Sequence, residues 1–249
     1  MLIEIERELA EAMKEAKASG DVMLARTCIR SRADGSTGTY SVDVKADSPE
    51  AAFAELDSMV NSPNVPLERA RQIRLYLAWK GHVESQFWEG ENFRMGRNIV
   101  QDYALARYWF LKAAERGHPS AQNNLGVMFA NGLGGVVDME RAIYWYMKSA
   151  AAGDIVAMSN LGLNLVAGRG VKRSYVKAAR LLKVSLKSNP YSARDHRLLA
   201  ECYEHGVGGR NGLRLAMHHY QEASDFGSLE ARASLRRLSA RKSSSAPIP

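Results

Sequence analysis

Gly96, Gly132, Gly168 and Gly206 stand in one column of a repeat whose period is 36 residues and lengthens to 38 at its last step. A second column holds Gly90, Gly126, Gly162 and Ala200, and a third holds Ala106, Ala142, Ala178 and Ala216. A fixed period of this length restricts a chain to stacked supersecondary units, none of which buries its apolar face alone. That constrains architecture far more than chemistry.

One period reads as two short helices. Ala121, Leu125 and Phe129 recur every four residues and form the apolar stripe of a helix A. Gly90, Gly126 and Gly162 flank that stripe where a second helix must approach closely. Gly132 is placed to close helix A in the left-handed conformation. Asp138 then opens helix B, as Asp102 and Ser174 do in the units on either side, because their side chains accept from the orphan amides of a first turn. The fourth unit offers only Asn211 and Gly212 there, which predicts a register shift of one. Helix B carries Ala142, Trp145, Tyr146, Ser149 and Ala150, matched one repeat earlier by Ala106, Trp109, Phe110, Ala113 and Ala114. Large rings against alanines interlock without voids.

The stretch 121–153 closely resembles the Sel-one-like repeat family, relatives of the tetratricopeptide repeat. The resemblance rests on Ala121, Leu125, Gly126, Phe129, Gly132, Asp138, Arg141, Ala142, Trp145, Tyr146, Lys148, Ala150 and Gly153. The unit 85–120 matches in helix B but sets Glu89 at the helix A leucine position, and 157–192 replaces the Trp-Tyr pair with Leu181 and Leu182. The unit 193–230 is the most diverged, with His219 and Tyr220 at that pair. The resemblance implies an all-α fold, an α-solenoid built as a right-handed superhelix of stacked antiparallel helix pairs. It also implies a non-catalytic adaptor or scaffold that binds partner protein segments in the concave groove of the solenoid.

The rest of the chain divides around those repeats. Leu2, Ile5, Leu9, Met13 and Ala16 space as one face of an amphipathic helix, and residues 22–30 read as a second helix, giving a helical hairpin plus loop over 1–48. Residues 31–48 hold at most one short strand, around Tyr40, Val42 and Val44. Residues 49–84 form a helical lead-in, with helices over 51–60 and 67–80 separated by a turn at Pro63 and Pro66. Four repeats and a capping helix fill 85–237, and 238–249 reads as a disordered tail. No run of eighteen apolar residues offers a membrane span. The acidic start and only two cysteines, Cys28 and Cys202, predict a reducing, cytoplasmic setting.

Candidate binding residues come from helix A positions off the core stripe: Trp88, Asn92, Asn124, Met128, Asn131, Asn160, Asn164 and His205. An asparagine amide donates and accepts together, so such a column can grip an extended peptide. The same residues can instead bond the backbone of the neighbouring repeat, and both readings stand. Charge is uneven. Residues 1–60 carry 7 Lys/Arg against 12 Asp/Glu, a net of −5, and residues 171–249 carry 15 against 6, a net of +9. Arg173, Lys177, Arg180, Lys183 and Lys187 form a basic patch at helical spacing, read first as a solubilising face. Binding of nucleic acid or an anionic surface through this basic third is the alternative function, and an enzyme acting on cell-wall peptides is a second. No P-loop, G-x-S-x-G or H-E-x-x-H pattern is present, so no catalytic residue, metal ligand or cofactor is assigned. Cys202, His205, His218 and His219 resemble a zinc set only in spacing. The expected partners are proteins, with a homo-oligomer through the N-terminal helices among the possibilities.

Overall fold

In the computed structural model, the described residues are 24–30, 37–43, 51, 54, 67–97 and 99–244, with side chains described for 51, 54, 73–97 and 99–240. The expected helix A closures are there. Helices α2 (Val83–Met95), α4 (Pro119–Asn131) and α6 (Ile155–Ala167) end on Gly96, Gly132 and Gly168, with φ of 67°, 67° and 71°. The expected helix B starts are also there. Asp102 accepts from the amides of Ala104 and Leu105 to open α3 (Tyr103–Glu115). Asp138 accepts from Arg141 to open α5 (Met139–Ala151), and Ser174 from Lys177 to open α7 (Tyr175–Ser188). The last pair is α8 (Ala193–Glu204) and α9 (Gly212–Asp225). Asn211 caps α9 without a side-chain hydrogen bond, after a 3-10 turn over Gly209–Asn211, as the shifted register predicts.

Two glycines show how the helices of one repeat meet. A Cβ on Gly90 would lie 2.6 Å from the Phe110 ring, and one on Gly162 would lie 2.9 Å from Leu182. Phe110 and Leu182 are the second residues of their aromatic-pair positions and are fully buried. Helix B therefore lies directly on the missing side chain of helix A.

The chain separates into two compact units, 1–128 with 132–136, and 129–131 with 137–249. In the first, α1 (Leu67–Trp79) packs on α2 and α2 on α3. Gln86 Nε2 donates to the Ala78 carbonyl at 3.1 Å, and one period on Gln122 Nε2 donates to the Ala114 carbonyl at 3.0 Å. Each glutamine thus satisfies a carbonyl in the last turn of the preceding helix. In the second unit each helix from α5 to α10 (Leu229–Ser244) packs on the next in sequence, and α6 also touches α8. The buried carboxylate of Asp195, 2% exposed, accepts from the hydroxyls of Ser159 and Ser185, joining α6, α7 and α8.

Several expectations are corrected. Residues 24–30 form a strand, β1 (Leu24–Arg30), in place of the expected helix over 22–30. It pairs antiparallel with β2 (Thr37–Asp43), which lies against α1. Thr27 faces Tyr40 and Ala25 faces Val42 in the register, so β-branched and aromatic preference outweighs a weak helical pattern. The lone strand expected near Tyr40 has its partner in residues read as helix. Each repeat starts two residues earlier than the sequence boundaries in the first three units. Helix A is capped by His82, His118 and Asp154, with Ser192 in the fourth unit. The tail expected over 238–249 is helical as far as Ser244. The amphipathic segment 2–16 and nearly all of the expected helix 51–60 lie outside the described residues.

Candidate functional site

Trp88 is the largest apolar side chain left open on a helix A, 40% exposed, and Met95 beside it is 48% exposed. They stand seven residues apart on α2, two helical turns, and so share one face about 10 Å long. The next turn is stiffened from below. Glu91 receives two bonds from Arg94, at 3.0 and 2.7 Å, and a third at 2.6 Å from Asn124 Nδ2 on α4. Phe87 meets the Trp88 ring edge-on and stacks on His118 at 4.5 Å. His118 uses its Nδ1 lone pair to cap α4 and its Nε2–H to reach Glu84 at 3.1 Å, which fixes its tautomer. Trp88 therefore projects from a braced helix.

The asparagine column is mostly occupied. Asn124 is bound to a neighbouring repeat, though to the Glu91 carboxylate and not to backbone. Asn92 is buried and donates to Glu89 at 3.3 Å. Asn164 is buried and donates to the carbonyl of Asn160 within its own helix, at 2.8 Å. Met128 is fully buried, which removes it from any surface. Its spacing from Leu125 and Phe129 explains this, because a stripe wider than every fourth residue faces the core. Asn131 is exposed and Asn160 half-buried. His205 is exposed and stacks on Tyr175 with centroids 4.3 Å apart. Glu91 is the residue that sequence reasoning missed; its only signal is the i, i+3 spacing to Arg94.

Of the basic patch, Lys177, Arg180, Lys183 and Lys187 are exposed along α7. Arg173 is exposed too, but it lies ahead of the Ser174 cap, where it reaches the Ala167 carbonyl at 3.3 Å, so it belongs to the loop and not to the helix. Lys183 lies over the Tyr203 ring at 5.4 Å.

Among the described residues no group of three or more His, Cys, Asp or Glu is placed to hold a metal ion. The Cys202 thiol is buried, and desolvation pushes it up to about 12, so it is held as the thiol. His196 and His219 bond to each other through their Nδ1 atoms at 2.9 Å. The Pro190 carbonyl takes the Nε2–H of His196 at 2.9 Å, so His196 offers its Nδ1 lone pair and His219 donates. Burial first, then His196, His218 and Lys183, hold His219 down to about 4. The unfolded chain then binds the proton first, so stability is full above about pH 6.5 and declines as pH falls to about 4. Allowing for the partial exposure of His219, the loss is about 1–2 kcal/mol. Urea unfolding of wild type and His219→Phe across this window is expected to show that slope in the wild type and a flatter one in the variant.

The Sel1 repeat model matches residues 83–118, 119–154, 155–187 and 195–227, over half of the chain. Its boundaries agree with the caps at His82, His118 and Asp154. A protective antigen present in uropathogenic Escherichia coli strains, displaying an SLR fold, superposes with a TM-score of 0.64 at 25% identity. The match covers 77% of this chain and 41% of the antigen chain, so the chain spans well under half of that neighbour. A Sel1 repeat protein from Oxalobacter formigenes superposes with a TM-score of 0.58 at 22% identity, covering 76% of this chain and 74% of the other. Both are similar in fold, and the helical pairs match this all-α solenoid class. No curated protein matches the sequence.

Proposed function

The chain belongs to the Sel1 repeat family, and from that premise we propose that it is a non-catalytic scaffold that binds partner proteins, with Trp88 as the principal anchor. Proteins built from this repeat generally serve as interaction scaffolds. The observation that carries the finer reading is the exposure of Trp88 at 40% on a helix held rigid by the Glu91 bonds to Arg94 and Asn124. Tryptophan and methionine are enriched at the energetic centres of protein interfaces, and a braced helix loses little freedom on binding. The groove is read as the exposed edge of α2 around Trp88 and Met95, with Asn124 as its support and not as a gripping residue.

Two variants separate binding from support. Trp88→Ala is expected to weaken partner capture by about tenfold or more, the range for a hot-spot residue, with an unchanged melting temperature. Asn124→Ala is expected to lose about 1–2 kcal/mol of stability, because its bond to a carboxylate is charge-assisted, and to weaken capture less than Trp88→Ala does. Quantitative affinity capture from the source lysate, read beside thermal melts, checks both. Equal capture by wild type and Trp88→Ala would remove the anchor.

A further inference from the structure

Residues 155–194 contain eight Lys or Arg and no Asp or Glu, and α7 runs through the middle of them. By contrast Arg94, Arg141 and Arg237 each have a carboxylate partner, Glu91, Asp138 and Glu204. On α7, Lys177, Arg180 and Lys187 are exposed, and no carboxylate among the described residues pairs with them. Their spacing of three and seven puts them on one helix face, about 15 Å from Lys177 to Lys187. Val176 and Val184, 53% and 45% exposed, lie in the same strip. The face is thus cationic with apolar points, and unanswered.

The complement is written elsewhere in the sequence. Glu4, Glu8, Glu11 and Glu15 step by four, three and four residues, so a helical form lines up four carboxylates over about 16 Å. In the same helical form the apolar ridge of Leu2, Ile5, Leu9 and Met13 falls about 135° around from the acidic ridge, on another face. This segment lies outside the described residues. We propose that the exposed face of α7 receives the acidic segment 4–15 of a second copy of this chain. The carboxylates meet Lys177, Arg180 and Lys187. Reciprocal exchange gives each copy one donated and one received segment, which closes a twofold dimer. Charge complementarity of this kind sets partner and register as much as strength. Nucleic acid fits the face less well: the single aromatic of α7, Tyr175, is stacked on His205, so no ring remains for bases. The inference is independent of what Trp88 binds.

A charge-swap experiment with the full chain tests it by sedimentation velocity. Wild type is expected to be dimeric at low salt and monomeric at high salt, as exposed ion pairs are screened. Lys177→Glu/Arg180→Glu/Lys187→Glu is expected to be monomeric at low salt, and so is Glu4→Lys/Glu8→Lys/Glu11→Lys. Mixing the two variants restores both contacts, so a species of doubled mass must reappear. A monomeric wild type, a row variant that stays dimeric, or a mixture that stays monomeric overturns the proposal. So does a row variant of unchanged mass that has lost retention on duplex DNA or on vesicles of anionic lipid, since the face would then serve a polyanion.

Discussion

Trp145→Ala is expected to lower stability by about 3–5 kcal/mol, the cost of deleting a buried aromatic from a packed interior. Trp145 is 7% exposed on α5, next to the fully buried Ala142 and the buried Tyr146. Its counterpart one repeat earlier, Trp109, is 3% exposed. The column is filled by a large ring because the alanine column leaves room for one, and neighbouring helices cannot close over the void that truncation leaves. For a chain of this length each kcal/mol moves the melting temperature by about 2–4 °C, so the fall is roughly 6–20 °C. Tyr144 is the control, half exposed on the same helix. Tyr144→Ala is expected to stay within about 0.5 kcal/mol of wild type. Thermal melts followed by circular dichroism read both. Equal melting of Trp145→Ala and wild type would mean that the register of helix B is wrong.

Gly170→Ala is expected to cost about 2–4 kcal/mol, and Gly134→Ala a similar amount. Both glycines sit in the loop between helix A and helix B at positive φ, +65° and +73°. A Cβ on Gly170 would lie 2.6 Å from the carbonyl oxygen of Met139, in the first turn of helix B one repeat earlier. A Cβ on Gly134 would strike the carbonyl of Tyr103, the equivalent place. The left-handed backbone costs a non-glycine residue about 1–2 kcal/mol, and forced displacement of a packed neighbour adds about 1–3. Backbone cannot rotate away as a side chain can. Gly153 separates the two contributions, with φ of +92° and nothing within 4 Å of its Cβ position. Gly153→Ala is therefore expected to lose only the conformational part, about 1–2 kcal/mol. Urea unfolding of the three variants checks the order, with Gly153→Ala the mildest.

The contrast between those glycines shows what the sequence made legible. Gly132 and Asp138 announce their roles by residue type, because few residues close a helix in the left-handed region or accept from its first amides. The core columns were equally readable, since burial of Trp109, Trp145 and the alanines follows from period alone. Residues at the edges of a repeat were harder. His118 caps α4 through its Nδ1, a role that histidine seldom signals, so the start of the unit was placed two residues late. Gly170 shows a turn in the sequence but not that another repeat's backbone presses against it. The strand over Leu24–Arg30 was missed for a related reason: its partner starts only at Thr37, and short segments take their state from the pairing they find.

The candidate site divides along the same line. Exposure of Lys177, Arg180 and Lys187 could be read from helical spacing, because every third or fourth position of α7 shares a face. The fate of the asparagines could not. Asn124 and Asn160 occupy equivalent positions, yet Asn124 is bound to Glu91, which only its own neighbouring repeat supplies. A shared position in a repeat fixes where a side chain starts and not what it meets. Met128 makes the same point from the other side, being fully buried where a narrow core stripe would have left it open. The proposed binding surface is consequently smaller than the column suggested, and it is drawn around Trp88.

Cohesion through helices adjacent in sequence is the claim on which the rest depends, and hydrogen exchange measured helix by helix tests it most directly. Comparing wild type with Trp145→Ala, protection is expected to fall most in α5 and α6, less in α7 and α8, and least in α9 and α10, as in a one-dimensional array of modules. An equal loss of protection across all six helices would show a single cooperative nucleus and contradict the account.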